Sequence, residues 1–228
     1  MTTAIFPAAG ASRRMGIGKN KIFLKLDGES VLIRTLKKFS QSARINFLIV
    51  VVSAGEVETV EELLKTATDL KPYVVTVGGS ERQYSIANGL KFVPPESEIV
   101  LVHDAARPLI NLETIEKVID AAEKFGGAIA AVPEKNTIKI IDAEGFVKST
   151  PPRADLVAVQ TPQGFKKEIL LRAYEQAALD NFLGTDDASL VERIGGKIKI
   201  VQSDYKNIKI TTPEDIQIAE TFLAENNL

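Results

Sequence analysis

The sequence predicts an α/β fold, a mainly parallel sheet flanked by helices. Two observations predict it. Short β-branched and apolar runs, such as Ile45 to Val52, recur along the chain with segments of helical period between them, the pattern of successive βαβ units. The runs are also continuously apolar, as strands covered on both faces are. With 228 residues, 45% hydrophobic and 25% charged, the chain has the composition of an ordinary soluble protein and enough length for a sizeable core. No repeat, low-complexity tract or linker divides it. It reads as one domain over residues 1–228 with an arm at about 134–156.

Ala4 to Phe6 form the first strand, which stops at Pro7 and passes into small residues, Ala8 to Ser12. Asp27-Gly28 is a turn, and Ser30 N-caps a helix carrying Val31, Leu32, Leu36 and Phe39 on one face. Ile45 to Val52 is a buried strand, Glu56 to Thr68 a helix and Tyr73 to Val77 a strand ending in Gly78-Gly79. Ser80 is placed to cap the helix through Tyr84, Ile86, Ala87 and Leu90 that Pro94-Pro95 ends. Strand Ile99 to Val102, helix Leu112 to Phe125 and strand Ala128 to Val132 follow.

The alternation then breaks. Asn136 to Ile141 and Phe146 to Thr150 flank Asp142-Ala143-Glu144-Gly145 as a β-hairpin. A lone hairpin is marginal, so it is expected either to project onto a second copy of the chain or to fold back over its own sheet. Val157 to Gln160 returns as a strand, with helices at Lys167 to Leu179 and Asp187 to Ile194. Strands at Lys197 to Val201 and Asn207 to Ile210 precede a last helix opened by Thr212-Pro213-Glu214-Asp215. Ligands of such sheets bind beyond the strands' C-terminal ends. Pro7 to Lys21, Gly78 to Ser85 and Asp104 to Pro108 are thereby expected on one rim.

Several chemistries are disfavoured at once. The absence of cysteine removes disulfides and thiolate catalysis, and a single histidine removes histidine-cluster metal sites. A formal charge of −2 gives no footprint for non-specific nucleic-acid binding. No basic segment leads an apolar stretch at the N-terminus, and no run approaches the roughly 18 apolar residues of a membrane span; the expected compartment is the cytoplasm. The loop after the first strand fits neither a Walker A pattern nor a dinucleotide fingerprint, since positions 10, 12 and 15 are Gly, Ser and Met.

What remains is an anion cradle. Backbone N–H groups of a small-residue loop approach phosphate closely, and Arg14 and Lys21 can fold over one polyphosphate. A tight turn with solvated basic residues fits the same local composition. Asp104 ends an apolar strand, where it either holds ribose or a metal-bound water, or pairs with Arg107. His103 beside it points to the opposite side by strand alternation and reads as structural. Asp186 and Asp187 are either metal ligands or the N-cap and first-turn charge of the helix that follows.

Together the motifs closely resemble the family of 2-C-methyl-D-erythritol 4-phosphate cytidylyltransferases. The matching stretches are Pro7 to Gly10 with Arg13-Arg14-Met15, Asn20-Lys21, Gly78 to Ser85, Val102 to Pro108, Asn136 to Lys139, Thr161 to Gln163, Thr185 to Ser189 and Asn207 to Asp215. The resemblance implies a Rossmann-like nucleotidyltransferase fold, a homodimer through the β-hairpin arm, and Mg²⁺-dependent transfer of a cytidylyl group from CTP, with release of pyrophosphate. It implies that Arg14 and Lys21 stabilise the transition state, and that Arg153 and Lys209 position the acceptor phosphate. Ala8, Ala9, Gly10, Gly79, Ser80, Ser85, Asp104 and Ala105 match nucleotide-binding positions; Thr137, Thr161 and Thr185 match acceptor-binding ones. Metal ligands stay open, with Mg²⁺ carried mainly by the CTP phosphates and Asp104 as a protein ligand in reserve. Departures from the family pattern are Asn20 for a proline, Ala11-Ser12 for a pair that usually includes a glycine, Ser80 for an aspartate and Asn136 for an aspartate. A ribitol 5-phosphate cytidylyltransferase and a non-catalytic nucleotide-binding module are the rival readings.

Overall fold

The computed structural model describes residues 1–10 and 20–225. A seven-stranded sheet runs in the order β11, β7, β10, β6, β1, β4, β5. In chain order these strands are β1 (Thr2–Pro7), β4 (Ile45–Val52), β5 (Tyr73–Val77), β6 (Ile99–Val102), β7 (Gly127–Pro133), β10 (Val157–Lys166) and β11 (Lys199–Gln202). All neighbours pair parallel except β10, which is antiparallel to both β6 and β7. A small ladder joins β2 (Lys25–Leu26) to β3 (Glu29–Ser30), and a hairpin joins β8 (Ile140–Ile141) to β9 (Val147–Ser149).

The continuously apolar strands are explained by cover on both faces. Ala4, Phe6, Leu48, Val50 and Leu101 face one layer with α1 (Val31–Ser40), α2 (Val57–Lys65) and α4 (Leu112–Phe125). Their neighbours Ile5, Ile49, Val51, Val100 and Val102 face the other, with α3 (Arg82–Leu90), α5 (Lys167–Leu179) and α6 (Asp187–Arg193). Successive residues of a strand point to opposite faces, so both faces of these strands meet helices. The last helix, α7 (Pro213–Glu225), packs Ala219 and Leu223 against Leu26 and Val31. Among the described residues no helix is long and apolar enough to cross a membrane.

The helix ends follow local chemistry. The Ser30 side chain accepts from Ile33 N, Asn111 accepts from Thr114 N, and α4 ends at Gly126 with φ +91°. Asp186 forms a capping box with Ser189, so the N-cap alternative for the Asp186-Asp187 pair is the one observed. At α7 the Asp215 carboxylate accepts from Thr211 N and Thr212 N, using the first-turn acid to satisfy the loop before the helix.

Three elements depart from expectation. Ser80 does not cap α3: Glu81 precedes the helix and no side-chain cap forms, while the Ser85 hydroxyl turns back to accept from Gly79 N. The strand begun at Val157, expected to end at Gln160, continues through Pro162 to Lys166. A register shift between Val159 and Gln163 accommodates the proline, which has no N–H for the ladder. Residues 207–210 form no strand. They run as an extended strap held by Ile210 N donating to Ala106 O and by the Asn207 amide donating to Gln160 Oε1 and Thr161 O. The hairpin is exposed along its length, with Ile141, Phe146 and Val147 each more than 60% accessible.

Candidate active site

A cleft of about 290 Å³ opens beyond the C-terminal ends of β1, β5 and β6. It is lined by Ala8, Ala9 and Gly10 from the first loop, by Gly79, Ser80 and Ser85 from the second and by Asp104 and Ala105 from the third. Lys21 and Lys209 also line it. The three loops expected on one rim therefore meet, and every matched nucleotide-binding position lies on the cleft wall.

Close packing explains the small residues. A Cβ at Gly78 would stand 2.7 Å from both the Ala9 Cβ and the Ser85 Oγ, and one at Gly79 would stand 2.5 Å from the Tyr84 Cβ. The first loop leaves β1 by continuing its ladder, with Ala8 N donating to Val51 O, and Ser53 Oγ donates to Ala9 O. Asn20 closes the far side. Its buried amide donates to Ala8 O at 2.8 Å and to Glu56 Oε2 at 3.2 Å, and its Oδ1 accepts from Ile22 N. The side chain standing where the resemblance leads one to expect proline thus fastens the end of β1 to the turn that presents Lys21. Arg14 lies outside the described residues.

The cleft floor is a locked turn. His103 is fully buried, and burial lowers its pKa to about 3, outweighing its hydrogen bond to Arg107 and the field of Asp104. Its ring is therefore neutral. Nε2 lies 3.2 Å from the Arg107 carbonyl, which only accepts, so Nε2 carries the proton and Nδ1 is an acceptor. The Thr161 hydroxyl, 3.0 Å away, then donates to Nδ1 and accepts from Asp104 N at 3.0 Å. One directed chain of bonds joins Asp104, Thr161, His103 and Arg107, and the imidazole packs on Phe39 with ring centroids 4.7 Å apart. His103 is structural, as its position in the strand suggested.

Above this turn sits a charge cluster. Asp104 lies 2.9 Å from Lys209 Nζ, 3.5 Å from Arg107 Nε and 3.6 Å from Arg82 Nε. Burial alone would raise its pKa, but Lys209, Arg82 and Arg107 hold it well below the ordinary carboxylate range. Pairing with Arg107, one of the two alternatives for Asp104, is thus present without taking the carboxylate out of the cleft. Arg82 is held more firmly from behind: Asp187, fully buried, accepts from its Nη2 at 2.7 Å and from the Tyr174 hydroxyl at 2.5 Å. Although burial works against its charge, Asp187 and Asp104 raise the Arg82 pKa.

Four matched positions are not on the cleft wall. Thr161 is buried beneath it with its hydroxyl engaged, and Thr185 is exposed on the loop before α6. Thr137 and Arg153 are exposed at the base of the hairpin, where Arg153 Nη1 donates to Lys135 O. Arg82 is the functional candidate that sequence reasoning left out, although it lies inside the matched 78–85 stretch, which was a usable signal. Asp187 reads from the sequence as a metal ligand or a first-turn acid, and its burial against Arg82 was not legible from spacing.

A family model described as 2-C-methyl-D-erythritol 4-phosphate cytidylyltransferase matches residues 2–225. A relative of that name from Caldanaerobacter subterraneus subsp. tengcongensis is 46% identical over 222 residues, 97% of this chain and 98% of its own. One from Geobacillus kaustophilus is 47% identical over 222 residues, 97% of this chain and 96% of its own. The crystal structure of 4-diphosphocytidyl-2C-methyl-D-erythritol synthase from Anaerococcus prevotii is similar with a TM-score of 0.87 and 35% identity, covering 98% of this chain and 96% of that one.

Proposed function

Because the chain belongs to the 2-C-methyl-D-erythritol 4-phosphate cytidylyltransferase family, we propose that its cleft transfers a cytidylyl group from CTP to 2-C-methyl-D-erythritol 4-phosphate. The products are the CDP-linked alcohol and pyrophosphate. The observation that carries the reading is the convergence of a small-residue anion loop, Lys21 and the Asp104–Lys209 pair on one cleft.

An oxygen of the acceptor phosphate attacks the α-phosphorus in line, a new P–O bond forms, and the bond to the leaving pyrophosphate breaks. The nucleophile is already an anion near neutral pH, so no general base is required. Catalysis then rests on positioning and on charge stabilisation. Lys21, with Arg14, neutralises charge growing on the reacting phosphate; Lys209, with Arg153, holds the acceptor phosphate. Asp104 and the backbone of Ala8 to Gly10 hold the nucleoside end.

The described residues offer no all-protein Mg²⁺ site. They contain no cluster of three His, Cys, Asp or Glu side chains suited to a metal, and Asp104 already faces three cations. The divalent ion is proposed to arrive on the triphosphate. Arg153 and Thr137 do not line the cleft, while the hairpin near them exposes Ile141, Phe146 and Val147. This supports a homodimer in which the arm carries them to the partner's cleft.

Incubation with CTP, Mg²⁺ and either methylerythritol phosphate or ribitol 5-phosphate, with pyrophosphate as the readout, tests the assignment. Turnover is expected with methylerythritol phosphate. Turnover with ribitol phosphate alone would transfer the assignment to that acceptor, and CTP binding without turnover would leave a binding module.

A further inference from the structure

We propose that Asp187, supported by Tyr174, is a positioning residue that holds Arg82 off Asp104 and so leaves Asp104 to fix Lys209. The distances rank the partners of Arg82. Its Nη2 is hydrogen-bonded to Asp187 at 2.7 Å, whereas its Nε stands 3.6 Å from Asp104 and is near it only as a charge. Lys209 makes the direct bond to Asp104, at 2.9 Å. A guanidinium prefers to engage a carboxylate through two nitrogens. Arg82 does not do so at Asp104 because the second carboxylate takes one end of its fork.

The second carboxylate is built for that task. Asp187 is fully buried at the start of α6, and its two oxygens are divided between Arg82 and the Tyr174 hydroxyl from α5. Gln163 Oε1 accepts from Asp187 N and Ala188 N, and Gln163 Nε2 donates to Asp186, fixing the turn from β10. A buried carboxylate is costly unless paired. Nothing in the proposed phosphoryl chemistry uses this one directly. Three cations, Arg82, Arg107 and Lys209, thus share two carboxylates, and the surplus positive charge stands where an acceptor phosphate is proposed to bind. Without Asp187, Arg82 would turn onto Asp104 and displace Lys209.

The test has an arm that needs no activity. In the ligand-free full-length protein, reductive methylation followed by mass spectrometry reads how firmly Lys209 is held. Asp187→Asn keeps the shape and removes the charge; it is expected to speed labelling of Lys209 severalfold, because Nζ is released from its 2.9 Å bond to Asp104. Arg82→Gln combined with Asp187→Asn is expected to return the rate to that of Arg82→Gln alone, because no arginine remains to displace Lys209. An unchanged Lys209 rate in folded Asp187→Asn, or an equal change in both backgrounds, would overturn the inference. Should Asp187→Asn not fold, Tyr174→Phe removes one bond to Asp187 and is read in the same way. A second arm rests on the proposed function: Asp187→Asn should raise the KM of the acceptor that the parent protein turns over by more than it lowers kcat, and less so with Gln at position 82. An acceptor other than methylerythritol phosphate would count against the proposed function and leave the labelling result standing.

Discussion

Replacing Thr161 with valine separates two roles for one hydroxyl. The family resemblance makes Thr161 an acceptor contact. The structure instead spends the hydroxyl within the fold, donating to His103 Nδ1 and accepting from Asp104 N. Valine has the same shape and neither function, so an N–H and a ring nitrogen lose their partner in a place where His103 is 0% and Thr161 5% exposed. Each unsatisfied buried group costs about 1–3 kcal/mol, so the substitution should cost about 2–6 kcal/mol in total. For a chain of this length that lowers Tm by roughly 4–24 °C. Thermal and urea unfolding of the parent, Thr161→Val and Thr161→Ser proteins measure it, with serine expected to recover most of the loss. A valine variant with parental stability and a raised acceptor KM would refute the reasoning and return the hydroxyl to the substrate.

The remaining expectations are independent of that one. Lys21→Ala and Arg14→Ala should each lower kcat by about 10² or more, the scale of losing one preorganised charge at a developing anion; steady-state pyrophosphate release checks it, and near-parental kcat removes the assigned role. Burial holds His103 at about 3 against an ordinary 6.5, so the unfolded chain takes up this proton first as pH falls. Its contribution to stability is complete above about pH 6.5 and declines down to about 3, by about 1.4 kcal/mol per unit. Urea midpoints between pH 4 and 7 should show that slope, and His103→Gln should flatten it. Finally, Arg153→Ala mixed with Lys21→Ala should regain activity after subunit exchange if the arm serves its partner's cleft. No recovery after demonstrated exchange counts against a shared site.

The sheet was legible because its physics is local and repeated. Ile45 to Val52 reads as a doubly covered strand and is one, with alternate residues in the two cores. The cleft was legible for a topological reason, since loops after parallel strands share one edge. What failed was set by contacts distant in sequence. Thr161-Pro162-Gln163-Gly164 carries turn residues, yet β6 and β7 on either side draw it into the sheet. Gly164 belongs there because a Cβ would stand 2.7 Å from Leu101 Cδ2 and 2.8 Å from Val118 Cγ1, so the glycine lets α4 approach. Asp187 and Arg82 lie 105 residues apart, and no spacing rule joins them. Lys209 was named only through the resemblance; alone, a lysine between two isoleucines says nothing.

The antiparallel strand β10 has a mechanical side. It is one element of ten residues, roughly 33 Å of extended backbone. One end, at Val157, continues from the exposed arm; its middle, at Thr161, holds the backbone of Asp104. A load applied to the arm is therefore transmitted along a single backbone to the cleft floor. The irregular register between Val159 and Gln163 lies on that path, between the arm and the anchored segment. Thr161 sits within that irregular stretch, so the Asp104 turn is tied to the least regular part of the strand, while Gln163 to Lys166 beyond it pair in register with β6.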